Sequence, residues 1–163
     1  MSDILFHRKN YVFSYRVAGI LISDNKILLQ KPVNDSGYAI PGGHVEFGET
    51  NAQTLEREFK EEIGAEIAVG DLKWVAENFF PWGDKPCHQI CLYYAIALKN
   101  DSVIPLDGSF FGDEYIEGHE FKIGFHWIPT ENLDKIEVYP TNIPDLMKRY
   151  NKGVQHFVYR EDM

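Results

Sequence analysis

The stretch from Thr50 to Gly64 constrains the fold most, because it carries both a start signal and a stop signal for a helix. Thr50 is a favourable N-cap residue, and Gln53 three positions later completes a capping box. Gly64 supplies the stop, since glycine readily adopts the left-handed conformation that ends many helices. We therefore predict a helix over residues 51–63, about 20 Å long. The apolar stripe that should face the core consists of Ala52, Leu55, Phe59 and Ile63.

Three glutamates lie beside that stripe, and we call Glu58, Glu61 and Glu62 the acidic arc because they span about 100° of the helix. We expect the arc to lack a basic partner on the same side. Two unit charges about 4 Å apart repel by roughly 4 kcal/mol at an effective dielectric of 20. A solvated acidic face is the usual explanation of such a run. The other explanation is a bound divalent cation, and oxygen-only ligands suit Mg²⁺ or Mn²⁺.

The rest of the chain reads mainly as strands joined by turns. Strands are predicted over residues 11–23, 27–31, 38–40, 66–69, 73–80, 88–98, 120–128 and 154–160. Glycines favour a turn at residues 41–43.

The segment 101–118 reads as a long loop. A turn or short helix is predicted at residues 129–133, and a second helix starts near Pro144 and ends before Gly153. This order favours an α+β domain with a mixed sheet between helices over a doubly wound parallel sheet. We expect residues 1–163 to form one domain.

Composition and charge exclude several classes of protein. With 44% hydrophobic residues the chain can build a core, and its formal charge of −9 argues against general nucleic-acid binding. No segment reaches the roughly 20 apolar residues that span a bilayer, and the amino terminus lacks the pattern of a signal peptide. Cys87 and Cys91 are expected to be reduced thiols in a cytoplasmic protein.

The glutamate-rich helix and the loop before it resemble the signature of the Nudix hydrolases, G-x5-E-x7-R-E-U-x-E-E-x-G-U with U an apolar residue. The matching residues are Gly43, Glu49, Arg57, Glu58, Phe59, Glu61, Glu62, Gly64 and Ala65. The resemblance implies an α/β/α sandwich and hydrolysis of a nucleoside diphosphate linked to another moiety. It also implies that many relatives are dimers, so a homodimer is expected.

Roles for individual residues follow from the same resemblance. Glu58, Glu61, Glu62 and the carbonyl of Gly42 would ligate Mg²⁺ or Mn²⁺, with Glu58 also serving as a base. Glu49 would pair with Arg57 and orient the site, which a guanidinium fork can do through two parallel hydrogen bonds.

A further carboxylate near a late strand is also implied. Glu120, at the start of the strand over residues 120–128, is preferred over Glu114 and Glu117. A solvent-exposed glutamate at the start of a strand is the alternative explanation of Glu120.

The identity of the substrate stays open at the level of the sequence. Pro81 follows the signature by sixteen residues, a spacing associated in the family with ADP-ribose, but a proline is equally expected in a hairpin turn. Aromatic residues could stack on a base or belong to the core: Tyr38, Phe79, Phe80 and Trp82. His88 and His126 could contact phosphate or satisfy local hydrogen bonds. Two functions are carried forward: a metal-dependent pyrophosphohydrolase of a nucleotide derivative, and an inactive nucleotide sensor with the same fold.

Overall fold

The structure of the protein is a computed structural model that describes residues 2–116 and 118–162, with the side chains of residues 114–116 outside the description. The elements in chain order are β1 (Leu5–His7), β2 (Val12–Ser23), β3 (Lys26–Pro32), β4 (Gly42–His44), α1 (Asn51–Ile63), β5 (Ile67–Trp82), β6 (Lys85–Leu98), β7 (Ser109–Ile116), β8 (His119–Pro129), a 3₁₀ helix (Thr130–Lys135), α2 (Ile143–Lys148) and β9 (Gln155–Arg160).

The described strands form a mixed sheet in the order β7-β8-β3-β2-β6-β5-β9, with β1 and β4 paired to β2. β2 runs parallel to β6, and β5 runs parallel to β9, whereas the other pairs are antiparallel. Strand β2 contacts β3 only at its end, through Ile22 and Ser23, and β4 pairs with its middle at residues 16–18. The predicted α+β class with a mixed sheet is confirmed.

Each face of the sheet carries its own hydrophobic core. The cluster under α1 includes Val17, Leu28, Leu55, Phe59, Phe125 and Trp127. The cluster under α2 includes Ala18, Ile20, Leu29, Trp74, Ile143 and Leu146. Neighbouring residues such as Val17 and Ala18 belong to different clusters because side chains alternate along a strand. The sheet therefore lies between the two helices as the middle layer of a sandwich.

Helix α1 has the predicted limits. The Thr50 side chain accepts a hydrogen bond from the Gln53 backbone N–H, and the Gln53 side chain accepts one from the Thr50 backbone N–H. Gly64 closes the helix at φ 68°. Leu55 and Phe59 are buried, as predicted. Local capping signals suffice here because both ends are determined by residues within one turn.

The prediction of a loop over residues 101–118 was wrong in part, because this segment contains strand β7. The segment has few β-branched residues, and it becomes a strand through pairing with β8. A Cβ at Gly112 would lie 2.6 Å from the carbonyl oxygen of Glu62. Glycine at this position therefore lets β7 approach α1.

Three other expectations about element limits were wrong. The predicted strands 66–69 and 73–80 form the single strand β5, which has register shifts between Val69 and Trp74. Gly42 and Gly43 lie in β4 and not in a turn, and a Cβ at Gly42 would meet the Val17 carbonyl oxygen. Helix α2 ends at Lys148, earlier than predicted.

The smaller predicted elements have mixed outcomes. Residues 38 and 39 form only isolated bridges, and β1 was not predicted. The hairpin partner β3, strand β8, the 3₁₀ helix and β9 lie where the sequence predicts. Neither helix in the described part of the chain is both long and apolar enough to cross a lipid bilayer. Cys87 and Cys91 are free thiols, and both are buried.

Candidate active site

The loop between β4 and α1 is fastened to the helix by the predicted pair of Glu49 and Arg57. Arg57 Nε donates to Glu49 Oε2 at 2.8 Å, and Arg57 Nη2 donates to Glu49 Oε1 at 2.9 Å. The Thr54 hydroxyl and the Glu46 backbone N–H also donate to Glu49 Oε1, each at 2.9 Å. The hydrogen bonds from Arg57 lower the pKa of Glu49 to about 2. Glu49 is therefore held as a carboxylate that orients the loop.

Arg57 also joins the helix to strand β4. Its Nη2 donates to the carbonyl oxygen of His44 at 3.2 Å. The hydrogen bonds that Arg57 donates to Glu49 raise the pKa of the guanidinium, which stays charged. A single cation thus ties together β4, the following loop and α1.

The acidic arc has a basic partner, contrary to expectation. Arg57 Nη1 lies 2.9 Å from Glu58 Oε1 and 3.4 Å from Glu61 Oε2. The expectation overlooked that Arg57 and Glu61 form an i,i+4 pair, and such residues are neighbours on the helix surface. The three glutamates differ in exposure: Glu62 is 5% exposed, the Glu58 side chain 15% and the Glu61 side chain 46%.

Burial changes the protonation of the acidic arc at Glu58. Burial raises the pKa of Glu58 to about 7, opposed by the charge of Arg57, by the hydrogen bond that Arg57 donates, and by a hydrogen bond between the Glu58 and Glu62 side chains. The Glu58 and Glu62 carboxyl groups are thus close together in a poorly solvated place. Such a pair is stabilised by a shared proton or by a cation.

Strand β4 leaves space for the Glu58 carboxyl group. A Cβ at Gly43 would lie 2.2 Å from the carboxyl carbon of Glu58, so only glycine permits the observed approach. Gly42 precedes it on the same strand. The available donors are carboxylate and carbonyl oxygens, which suit a hard divalent cation.

The acidic arc fits such a cation by the chemistry of its oxygen donors. Within residues 2–116 and 118–162, no three acidic, histidine or cysteine side chains already converge as a metal cage. Arg57 contacts Glu58 and Glu61 in this structure.

The further carboxylate remains a prediction. Glu120 is exposed on β8, opposite Tyr115 of β7. Ile123 and Phe125 of β8 belong to the core under α1, so strand alternation directs Glu120 to the other face. None of the described hydrogen bonds or ion pairs joins Glu120 to the acidic arc. Glu117 and the side chain of Glu114, the other two candidates, lie outside the described residues.

The fold separates the residues that the sequence suggested as contacts of a base or a phosphate. Pro81 pairs with Pro86 beside the β5–β6 hairpin turn. The Tyr38 ring lies edge-on to His126 at 5.5 Å, and Phe79 lies 4.5 Å from His88. Both histidines are therefore placed against aromatic rings.

Sequence reasoning missed a cavity of about 340 Å³ on the α2 face of the sheet. Its lining includes Phe80, one of the aromatic candidates, together with Gln30, Asn78, Gln89 and Tyr139. Three of these side chains are amides at most 7% exposed. An amide at an inward position of an otherwise apolar strand was the signal that could have revealed it.

A row of polar side chains runs from this cavity to β4. Asn78 donates to Gln89 at 3.0 Å, Gln89 donates to Ser14 at 3.0 Å, and Ser14 Oγ lies 2.9 Å from His44 Nε2. Burial lowers the pKa of His44 to about 4, so its ring is neutral at pH 7. His44 follows Gly43, so β4 adjoins both the acidic arc on one face and the polar row on the other.

Comparison with known proteins agrees with this geometry. The family model for the NUDIX domain matches residues 14–150. An ADP-ribose pyrophosphatase from Methanocaldococcus jannaschii is 51% identical over 83 residues, which make up 49% of this chain and 48% of that protein. The chain thus spans about half the length of this curated relative.

Solved structures share the fold. An ADP-ribose pyrophosphatase from Streptococcus suis superposes with a TM-score of 0.59 at 13% identity, covering 88% of this chain and 98% of that one. A MutT protein from Methanosarcina mazei Go1 gives a TM-score of 0.57 at 19% identity, covering 90% and 97%. Identities this low show the fold alone. The match to the family over residues 14–150 is what shows that the chain belongs to the Nudix family.

Proposed function

We propose that the protein is a metal-dependent pyrophosphohydrolase of a nucleoside diphosphate linked to another moiety. The observation that carries the proposal is the buried carboxyl pair of Glu58 and Glu62, in which the Glu58 carboxyl group lies directly against Gly43. Such a pair is costly to maintain unless a cation or a proton is bound. The family match and the M. jannaschii relative support the same reaction class.

The proposed roles of the residues follow from the resemblance to the Nudix signature. Glu58, Glu61, Glu62 and the carbonyl of Gly42 would hold Mg²⁺ or Mn²⁺, which stabilises charge on the diphosphate oxygens and activates water when bound. Glu58 also accepts the proton of the attacking water. Arg57 and Glu49 hold the loop and β4 in register with the helix. The role of Glu120 as general base or extra metal ligand stays a prediction, and its position on the face of β8 away from α1 argues against it.

The substrate class is proposed more broadly than a single compound. ADP-ribose, nucleotide sugars and nucleoside triphosphates all contain the linkage that this site would cleave. The name of the M. jannaschii relative favours ADP-ribose as the first compound to test. The net charge of −9 supports a small substrate reached through a metal and argues against general nucleic-acid binding.

The alternative is a nucleotide sensor without turnover. It is favoured by the contacts of Arg57 with Glu58 and Glu61, which occupy oxygens that a metal would need. The two functions differ in one measurable property, because a sensor binds nucleotides but does not release a monophosphate.

The test is a panel of ADP-ribose, nucleotide sugars and nucleoside triphosphates, assayed with Mg²⁺ or Mn²⁺ and again with a chelator. We expect metal-dependent release of a nucleoside monophosphate. Glu62→Gln should reduce the rate by about 100-fold or more without loss of folding, since it removes a charge from the acidic arc. Glu56→Gln, on the exposed side of the same helix, is the matched control. Absence of turnover across the panel at high enzyme concentration would favour the sensor.

Location and assembly are proposed separately. The free thiols of Cys87 and Cys91 support a cytoplasmic location. A homodimer stays a prediction, and sedimentation equilibrium measures it directly.

A further inference from the structure

The segment that precedes β1 lies outside the stretch matched by the family model, which begins at residue 14. We call residues 2–4 the strap. Strands β1 and β4 pair with neighbouring parts of β2, and the strap lies where the two meet. The Ile4 N–H donates to the carbonyl oxygen of Val45 at 2.8 Å, and the Ile4 carbonyl oxygen accepts from the Tyr15 N–H at 2.9 Å. The strap is therefore bonded both to the sheet and to the chain that follows β4.

The pairing of the strap continues along the loop that leads from β4 into α1. The carbonyl oxygen of Ser2 accepts a hydrogen bond from the Phe47 N–H at 3.0 Å. Between these contacts, Asp3 forms an antiparallel bridge with Glu46. The side chain of Ile4 packs against the core under α1. Because Asp3 lies between two bonded residues of the strap, its position beside the loop is fixed.

Asp3 brings a carboxyl group that the sequence did not suggest to the surroundings of Arg57. Burial raises the pKa of the Asp3 carboxyl group, the negative charge of Glu46 raises it further, and the positive charge of Arg57 lowers it. The charges of Glu49 and Glu61 also raise this pKa. A carboxylate placed among other carboxylates is unfavourable unless a cation compensates. Arg57 supplies that compensation, so the charges of Asp3 and Arg57 stabilise one another.

The guanidinium of Arg57 is shared between two sides. On the side of the loop, Arg57 Nε lies 2.8 Å from Glu49 Oε2 and 3.9 Å from Glu46 Oε2. On the other side, Arg57 Nη1 contacts two carboxylates of the acidic arc. A divalent cation held by the arc would compete for those oxygens and repel the guanidinium. Negative charge on the side of the loop therefore favours release of the arc by Arg57.

We propose that Asp3 is a positioning residue of the metal site, which holds the positive charge of Arg57 towards the loop and leaves the oxygens of the acidic arc to the cation. The inference rests on the proposed function and deepens it by adding a residue from outside the family match. Asp3 acts through Arg57 and is assigned no bond to the metal. The strap supplies the fixed backbone that keeps this carboxylate in place.

The experiment measures the Kd of Mn²⁺ for the whole protein without substrate, from the electron paramagnetic resonance signal of the free ion. We expect Asp3→Asn to raise this Kd by about fivefold, because Arg57 then competes more strongly for the arc. Asp3→Glu keeps the charge and should restore the Kd to within about twofold of the wild-type value. Glu56→Gln removes a charge from the exposed side of α1, next to Arg57 in the chain, and should have the smaller effect of a distant charge.

Repeating the titrations at high salt separates a local effect from the general attraction of Mn²⁺ to an acidic protein. Salt at about 1 M reduces the Debye length to about 3 Å and screens exposed charges that are farther apart. Since Asp3 is half-buried, we expect the difference between wild type and Asp3→Asn to persist, and any effect of Glu56→Gln to disappear. Loss of the Asp3 effect at high salt would overturn the inference.

A double-mutant cycle in the metal-free protein tests the route through Arg57. We expect Asp3→Asn to increase the unfolding equilibrium constant, measured in urea, by a larger factor in the wild-type background than in Arg57→Gln. Equal factors would contradict the action of Asp3 through Arg57. If Arg57→Gln does not fold, the comparison of Asp3→Asn with Asp3→Glu decides.

The Mn²⁺ titrations also distinguish failure of the inference from failure of the proposed function. Equal Kd values for wild type and Asp3→Asn would overturn the role of Asp3 and leave the proposed reaction standing. A wild-type protein that binds no Mn²⁺ would overturn the metal-dependent reaction, and the role of Asp3 at the metal site with it. Raised Kd in Asp3→Asn without turnover of any substrate would support the role of Asp3 and favour the sensor.

Discussion

At the scale of single residues, Arg57 links the loop, strand β4 and helix α1 of the candidate site. Its guanidinium contacts Glu49, Glu58, Glu61 and the carbonyl oxygen of His44. A lysine could not make the two parallel hydrogen bonds to Glu49, because its ammonium lacks the planar fork. The pair with Glu49 was predicted from the resemblance to the Nudix signature. The contact with Glu61 is an i,i+4 pair that helix spacing predicts, whereas the contact with Glu58 depends on the path of the side chain.

The depressed pKa of Glu49 predicts a pH dependence of stability. The folded value of about 2 lies below the ordinary 4.5, so the carboxylate contributes stability above pH 4.5 and loses it as the pH falls towards 2. We expect the difference in unfolding free energy between wild type and Glu49→Gln to shrink across this window. Urea unfolding at several pH values measures it, with Glu56→Gln as the control. A difference that stays constant from pH 5 to pH 2 would contradict the assignment.

At the scale of elements, the site depends on two close approaches to α1. Gly43 of β4 makes room for the Glu58 carboxyl group, and Gly112 of β7 lies against the Glu62 backbone. The limits of α1 were predictable because its caps are local. Strand β7 was not predictable, because it forms by pairing with β8 and by contact with α1. Its own sequence pattern indicates neither partner.

Replacing Gly112 tests the close contact between β7 and α1. A Cβ there would lie 2.6 Å from both the Glu62 carbonyl oxygen and the Phe125 ring, so β7 must move away from α1. We expect Gly112→Ala to destabilise the protein by about 1–3 kcal/mol, measured by urea unfolding. Gly70→Ala on β5 is the comparison, since its nearest contact would be 3.2 Å. Equal unfolding free energies of the two variants would show that β7 and β8 move away from α1 without loss of stability.

At the scale of the whole molecule, the sheet separates two chemical environments. The acidic arc lies with the core under α1, and the amide-lined cavity lies with the core under α2. The family match covers residues 14–150, and the organisation of residues 1–163 as one domain stays a prediction.

Binding of Mn²⁺ should stabilise the whole molecule. A cation at 100 times its dissociation constant stabilises the folded state by about 2.7 kcal/mol, which raises Tm by about 5–10 °C for a domain of this size. Glu62→Gln should lose most of this shift, and Glu56→Gln should keep it. Differential scanning calorimetry with Mn²⁺ and with a chelator makes the comparison. An equal shift in both variants would place the cation elsewhere.

The sequence alone determined helix α1, its acidic arc and the Glu49–Arg57 pair, because each depends on residues within a few turns of one another. It also indicated most strands, since the residue pattern that predicts a strand is local. Tertiary structure decided which residues share a face, where β7 lies, and how Gln30 and Asn78 meet at one cavity. These features depend on pairing between strands that are far apart in the chain, and a short stretch of sequence carries no information about its remote partner.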